Sequence, residues 1–146
     1  MVLFVCTGNT CRSPMAEALL RERVQQAQKN IEVRSVGVAT HGNAASNGSV
    51  AVMNACGIDI TSHMPTMLTT DHIEQASLIL TMTVGHKAAV LSYGKGTNDK
   101  TFTLREYVEG QMADVSDPYG GDLAEYEQTA NELKRLIDQI NLEEIN

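Results

Sequence analysis

The nine residues that follow the first apolar run constrain this chain more than any other feature of its sequence. Residues 2–5 are apolar and partly β-branched, which is typical of a buried parallel strand. Residues 6–14 read Cys-Thr-Gly-Asn-Thr-Cys-Arg-Ser-Pro, and the Ser-Pro pair predicts a helix start with Ser13 as N-cap and Pro14 at the first helical position. A strand, a short loop and a helix N-terminus in this order predict a cradle for a tetrahedral anion.

Strand and helix patterns alternate along the rest of the chain. We predict strands over 31–36, 78–82 and 101–104. We predict helices over 14–28, 49–56 with Gly57 as its cap, 84–91 and 123–140, and a short helix that closes at 74–75. Loops or turns are predicted over 37–48, 94–98 and 117–121. This alternation favours an α/β fold in which helices cover both faces of a parallel sheet. We interpret residues 1–146 as a single domain, because no repeat or linker interrupts the pattern.

Cys6 and Arg12 are the candidate catalytic residues of the loop. Gly8 and Asn9 tolerate the positive φ angles that a cradle needs, and the Arg12 fork can hold two phosphoryl oxygens and stabilise transition-state charge. Amides, a guanidinium and a helix N-terminus lower the pKa of a nearby thiol, so we expect Cys6 to be largely ionised at neutral pH. The Ser13 hydroxyl can add a hydrogen bond to the sulfur. A thiolate facing a phosphoryl group is placed for in-line attack, which gives a phosphocysteine intermediate.

The loop, preceded by Val5 and followed by Met-Ala-Glu-Ala, resembles the signature of the low-molecular-weight protein tyrosine phosphatases. Weaker matches follow along the whole chain, at residues 35–37, 81–83 and 117–119. The resemblance implies the fold of that family, a three-layer α/β sandwich with a four-stranded parallel sheet flanked by helices. It also implies a general acid from the aspartate of the Asp-Pro loop, which here is Asp117.

Asp117 suits an acid and base role, because Pro118 stiffens its loop. Asp114 is the competing carboxylate, and we expect it to face solvent. Tyr119 is expected to form a wall of the pocket beside the substrate side chain. With it, the candidate substrate-binding residues are those of the loop: Thr7, Gly8, Asn9, Thr10, Cys11 and Ser13.

Thr10 is the informative departure from the tyrosine-specific members, which usually carry a bulky aliphatic residue there. Three segments are similar to the bacterial protein-arginine phosphatases. They are the loop with Thr10, residues 103–108, and the stretch in which Ser116 and Asp117 are followed by Pro, an aromatic residue and Gly-Gly. A guanidinium is rich in N–H donors, and an aliphatic side chain would leave such donors unpaired at about 1–3 kcal/mol each. The Thr10 hydroxyl can accept from them or orient the attacking water. We therefore predict phosphoarginine in proteins as the substrate.

Cysteine and histidine usage indicates an intracellular redox environment and no metal. The three cysteines are too few and too unevenly spaced for a secreted disulfide framework. We expect Cys11 to resolve an oxidised Cys6 as a disulfide, with a simple packed thiol as the alternative. The four histidines lack metal-ligand spacing, so we expect no metal and no cofactor.

The charge balance of 11 basic and 18 acidic side chains argues against nucleic-acid and membrane-surface binding, because phosphate-rich surfaces would repel the net charge of −7. No apolar run approaches the roughly 18 residues of a membrane span, and the N-terminal run is too short for a signal peptide. We expect a cytoplasmic monomer whose partners are phosphorylated proteins.

Three other interpretations fit the loop. A tyrosine-specific phosphatase uses the same chemistry. Arsenate reductases share the fold and the loop but require further cysteines later in the chain, and none follows Cys56. An oxyanion-binding or redox-sensing module would use the cradle without turnover.

Overall fold

The computed structural model describes residues 1–94 and 96–145, and a four-stranded parallel sheet lies at its centre. The strands are β1 (Val2–Cys6), β2 (Val33–Gly37), β3 (Leu78–Thr81) and β4 (Thr101–Thr103). Their order is β2-β1-β3-β4, and every pair is parallel. The order reverses at β1, so the crevice at the carboxyl ends of β1 and β3 is the switch point where such sheets bind ligands.

Helices cover both faces of the sheet. They are α1 (Arg12–Gln26), α2 (Asn47–Ala55), α3 (Thr70–Gln75), α4 (Val84–Leu91), α5 (Leu104–Glu109) and α6 (Leu123–Ile137), followed by a 3-10 turn at Leu142–Glu144. Helices α1, α2 and α6 share one apolar core with the first face of the sheet, and α3 and α4 pack on the other face. The predicted sandwich with a four-stranded parallel sheet is therefore confirmed. Among the described residues, no helix is both long enough and apolar enough to cross a bilayer.

The continuous apolar run of β1 is explained by burial on both faces. Val2 and Phe4 belong to the core under α1 and α6, whereas Leu3 and Val5 belong to the core under α3 and α4. All four side chains are fully buried. The strand therefore fixes where the loop after it begins.

The start of α1 differs from the prediction. The helix begins at Arg12, its N-cap is Cys11 with no side-chain cap, and Ser13 is its second residue. The prediction of Ser13 as N-cap is wrong, because its hydroxyl is used by the loop instead. Pro14, predicted at the first helical position, occupies the third, where a proline is still tolerated because the first four N–H groups have no intrahelical partner.

Helix α5 is absent from the sequence prediction, although its signal is present. Thr103 accepts from the Glu106 amide and the Glu106 side chain accepts from the Thr103 amide, which is a capping box. Helix α2 begins two residues earlier than predicted because the Ser46 side chain caps it. Gly57 follows α2 with a φ of 81°, as a helix terminator does.

Smaller differences concern the ends of elements. Strand β2 begins at Val33 rather than at residue 31, and α6 ends at Ile137, so Ile140 lies buried beyond the helix. Leu123, predicted on the apolar face of α6, is 52% exposed. The predicted turn over 94–98 includes residue 95, which lies outside the described residues.

Gly37, the last residue of β2, touches the loop that follows β1. A Cβ built there would lie 2.5 Å from the Thr7 carbonyl oxygen and 3.0 Å from the Asn9 nitrogen. Both atoms are backbone, so the loop itself would have to move. We expect Gly37→Ala to lower the free energy of unfolding in urea by about 1–3 kcal/mol and to reduce turnover.

Gly85→Ala is the matched control, since a Cβ there meets the Thr83 hydroxyl at 3.6 Å, an ordinary contact. Unchanged stability and turnover in Gly37→Ala would contradict this account of the close approach.

Candidate active site

A cavity of about 200 Å³ opens at the carboxyl end of β1. Its lining residues are Cys6, Thr7, Gly8, Thr10, Cys11, Arg12, His41, Asp117 and Tyr119. All of them except His41 belong to the set of site residues predicted from the sequence. The two remaining members of that set, Asn9 and Ser13, are fully buried. The fold thus brings the loop and the Asp-Pro segment together, although they are more than a hundred residues apart in sequence.

Five carbonyl groups of the loop accept hydrogen bonds from groups that do not line the cavity. The Val38 and Ala39 amides donate to the Cys6 and Thr7 carbonyls, and the Ser46 and Met15 amides donate to the Thr10 and Cys11 carbonyls. The His63 ring donates to the Asn9 carbonyl. The peptide bonds of the loop are trans, so the N–H of each following residue points the opposite way. The amides of residues 7, 8, 10, 11 and 12 therefore face the inside of the loop. Together with the N-terminus of α1 they form an anion cradle.

Asn9 holds the loop in this shape. Its φ is 58°, in the left-handed region, and its side-chain oxygen accepts from the Thr66 amide at 2.9 Å. Its Nδ2 donates to Ser13 Oγ at 2.7 Å and to Ser35 Oγ at 3.0 Å. The expectation of a positive φ is correct for Asn9 but wrong for Gly8. A Cβ at Gly8 would lie 2.7 Å from Nε2 of the exposed His41, so that ring would have to shift away from the cavity wall.

The sulfur of Cys6 has two hydrogen-bond partners within the loop. The Asn9 amide donates to it at 3.2 Å, and Ser13 Oγ lies 2.8 Å away. Because Ser13 Oγ already accepts from Asn9 Nδ2, its own hydrogen is free to point at the sulfur. The serine hydroxyl can thus donate to a thiolate at Cys6.

Burial dominates the titration of Cys6. The sulfur is almost completely buried, and this burial raises the pKa of Cys6. Hydrogen bonds from the Ser13 side chain, the Ser13 amide and the Asn9 amide lower it, and so does the charge of Arg12. The prediction of a lowered pKa is therefore wrong in sign, since the depth of the sulfur could not be known from the sequence. The groups that oppose the effect of burial are the predicted ones.

Arg12 and Asp117 face each other at the mouth of the cavity. The Arg12 guanidinium is buried, donates to the Val115 carbonyl at 3.1 Å and lies 3.5 Å from an Asp117 carboxylate oxygen. Asp117 is 55% exposed, and its other oxygen accepts from the Tyr119 amide at 3.0 Å. Asp114 is exposed, as predicted, and its carboxylate accepts from the Val84 amide at the start of α4.

Two histidines next to the loop were not predicted as site residues. The His41 ring meets Tyr119 edge-on at 5.7 Å, so the two rings form one wall of the cavity. His86 Nε2 lies 2.8 Å from the Thr7 hydroxyl, and burial and Arg12 lower the pKa of His86 to about 4, so it is neutral at pH 7. Neither residue has a sequence spacing to the loop that would have revealed it.

Cys11 is a free, buried thiol that lines the cavity and has three hydroxyl groups as neighbours. Its sulfur lies 3.3 Å from the Tyr126 hydroxyl, 3.4 Å from Ser46 Oγ and 3.6 Å from Thr10 Oγ1. A disulfide between Cys6 and Cys11 stays a prediction. Within residues 1–94 and 96–145, no cluster of three or more His, Cys, Asp or Glu side chains is placed to bind a metal ion.

Removing the Ser13 hydroxyl should make the Cys6 thiolate harder to form. We expect Ser13→Ala to raise the pKa of Cys6, because the hydroxyl hydrogen bond lowers it. A hydrogen bond to a charged group contributes about 1.5–3 kcal/mol, so turnover should fall about 10–100-fold. Iodoacetamide alkylation at the Cys6 peptide, followed by mass spectrometry across pH, measures the shift.

Ser46→Ala serves as the control, because its hydroxyl contacts the Cys11 sulfur rather than that of Cys6. An alkylation midpoint in Ser13→Ala at or below that of the unaltered protein would show that Ser13 does not donate to the sulfur.

A family model and the similar proteins of known name agree on one family for this chain. The model of the family described as low molecular weight phosphotyrosine protein phosphatase matches residues 1–146. The chain is 43% identical to the protein-arginine-phosphatase of Bacillus subtilis over 140 residues, which cover 95% of this chain and 93% of that protein. It is 36% identical over 143 residues to the low molecular weight protein-tyrosine-phosphatase PtpB of Staphylococcus epidermidis, covering 95% of each.

A solved structure of the YwlE arginine phosphatase superposes with a TM-score of 0.89 at 42% identity, covering 94% of this chain and 91% of that chain. That structure is of a mutant with a phosphorylated active-site serine.

Proposed function

Because the chain belongs to the low molecular weight phosphotyrosine protein phosphatase family, we propose that it hydrolyses phosphoarginine in proteins through a phosphocysteine intermediate. The observation that carries this proposal is the position of the Cys6 sulfur beside the inward-facing amides of the loop. It receives hydrogen bonds from within that loop, and Arg12 lines the same cavity.

In the first step Cys6 is the nucleophile. Its sulfur bonds to phosphorus while the bond from phosphorus to the guanidino nitrogen breaks, and Asp117 gives its proton to that nitrogen. The loop amides and Arg12 bind the phosphoryl oxygens and stabilise the charge on them. Ser13 and Asn9 lower the cost of forming the thiolate, which burial raises.

In the second step Asp117 acts as a base. A water oxygen bonds to phosphorus, the sulfur–phosphorus bond breaks, and Asp117 takes the proton from the water. Inorganic phosphate leaves and Cys6 returns as a thiolate. The exposure of Asp117 at the mouth of the cavity supports both roles, because a donor there can reach the leaving group and solvent.

Thr10 supports the choice of phosphoarginine. Its side chain lines the cavity, and its hydroxyl has the Cys11 thiol as its neighbour at 3.6 Å. If the hydroxyl donates to that sulfur, its lone pairs can accept from a guanidinium N–H. The relatives named protein-arginine-phosphatases, at 42% and 43% identity, support the same substrate. Other relatives carry the name of tyrosine phosphatases, among them PtpB at 36% identity and a solved structure from T. tengcongensis at 44% identity, so the peptide comparison below decides between the two substrates.

The proposal extends to the partners, location and cofactor needs of the enzyme. We infer that it acts on phosphorylated proteins as a monomer in the cytoplasm and as one domain. We also infer that it needs no metal or cofactor, because the loop and Asp117 supply the nucleophile, the charge stabilisation and the proton.

Substrate choice can be tested by measuring kcat/KM on matched phosphoarginine and phosphotyrosine peptides. We expect the phosphoarginine peptide to be the better substrate. Thr10→Ile should lose about 5–150-fold on it, since an unpaired donor costs about 1–3 kcal/mol, while hydrolysis of aryl phosphates should change little.

Thr10→Ser is the control, because it keeps the hydroxyl and should keep the preference. Equal or faster turnover of the phosphotyrosine peptide by the unaltered protein would contradict the arginine specificity but not the phosphocysteine chemistry.

A further inference from the structure

Most hydrogen bonds between the loop that carries Asp117 and the rest of the fold lie on the N-terminal side of Asp117. We call residues 114–121 the acid loop. Residues 114 and 115 are bonded to the sheet end and to the site: the Asp114 carboxylate accepts from the Val84 amide, the Val115 amide donates to the Met82 carbonyl, and the Val115 carbonyl accepts from Arg12. Hydrogen bonds thus fix the chain up to the residues just before Asp117.

Ser116, the residue directly before Asp117, is bonded to helix α6. Its amide and its hydroxyl both donate to the same carboxylate oxygen of Glu132, at 3.3 and 2.8 Å. The hydroxyl also lies 3.1 Å from that of Thr129, one turn earlier on the helix. Two bonds to one oxygen fix both the backbone and the side chain of Ser116.

Glu132 is in turn held by an arginine from α5. Its second carboxylate oxygen pairs with Arg105, whose Nε donates to the Asp114 carbonyl at 3.0 Å. The Glu132 side chain is 15% exposed and that of Arg105 20% exposed, so the pair is largely shielded from water. Arg105 therefore braces the acid loop twice, directly at Asp114 and through Glu132 at Ser116.

The residues after Ser116 have a different kind of support. The bonds within this part of the described acid loop are local: the Tyr119 amide donates to Asp117 and the Gly121 amide to the Pro118 carbonyl. The contact of Asp117 with Arg12, at 3.5 Å, is to the site itself. The Tyr119 ring also meets His41 edge-on, but the hydrogen bonds that tie the backbone around Asp117 to other elements come from the side of Ser116.

We propose that Glu132 and Arg105 are positioning residues for the acid and base step, acting through Ser116 on Asp117. This proposal rests on the proposed role of Asp117. A carboxyl group that must reach a leaving atom loses efficiency when it is misplaced by a fraction of an ångström. The chain Arg105–Glu132–Ser116 keeps Asp117 within reach.

The test uses the dependence of kcat/KM on the leaving group. Dinitrophenyl phosphate has a leaving group that departs without a proton, whereas phenyl phosphate needs one from the acid. We expect Glu132→Ala to lower kcat/KM for phenyl phosphate about tenfold, and to change that for dinitrophenyl phosphate less than about twofold, because only proton transfer is impaired. A general loss of structure would lower both equally.

Glu109→Ala is the matched control. Glu109 also pairs with Arg105, at 2.7 Å, but its recorded partners are Arg105 and Arg135, not Ser116. The ratio of kcat/KM for the two substrates in Glu109→Ala should equal that of the unaltered protein. Glu132→Gln keeps one oxygen that can accept from Ser116 but turns a donor NH2 toward Arg105, so it should recover only part of the lost rate. If Glu132→Ala does not fold, Ser116→Ala, which removes the hydroxyl donor alone, carries the same test with a smaller expected loss.

Asp117→Ala provides the reference that separates the two proposals. If it leaves the ratio of the two substrates unchanged, Asp117 is not the acid and the proposed function fails at that residue. If Asp117→Ala changes the ratio while Glu132→Ala and Ser116→Ala leave it as in the unaltered protein, only the positioning role is overturned.

Discussion

Asn9 is the constraint on which the rest of the site depends. It takes a left-handed backbone angle that most residues avoid, and the structure offsets that cost with bonds at every polar group of the residue. Its side chain links Thr66, Ser13 and Ser35, and its own amide and carbonyl reach Cys6 and His63. Since its Nδ2 donates to the Ser13 oxygen, the Ser13 hydrogen stays available for the Cys6 sulfur. One buried side-chain amide thereby links the shape of the loop to the hydroxyl beside the sulfur.

The site is assembled from two parts of the fold that differ in burial. The cradle follows from the sheet: β1 is buried on both faces, Gly37 lets β2 approach the loop, and α1 begins within the motif. The acid is brought from a distant part of the chain by α5 and α6. The proposed nucleophile thus lies at the end of a fully buried strand, whereas the proposed acid lies on an exposed loop. In the proposed mechanism, the leaving group and the attacking water exchange at the mouth while the phosphoryl group stays in the cradle.

Much of this could be predicted from the sequence, and the failures have physical reasons. Alternating patterns predict the parallel sheet, and α4 occupies the predicted residues 84–91. Helix α5 was missed although Thr103 and Glu106 carry a readable capping signal. The sign of the pKa shift at Cys6 could not be foreseen, because local donors are visible in the motif but burial depends on the whole fold. His41 and His86 reach the site through tertiary contacts alone.

The central claim is that the phosphoryl group passes through the Cys6 sulfur. The most direct measurement is to mix Asp117→Ala with a phosphoarginine peptide, quench within the first turnover, and examine the denatured protein by phosphorus NMR and peptide mass spectrometry. The account predicts a sulfur–phosphorus resonance and a single phosphoryl adduct on the Cys6 peptide, absent in a variant that also carries Cys6→Ala. Release of phosphate with no adduct on the sulfur at any quench time would contradict it.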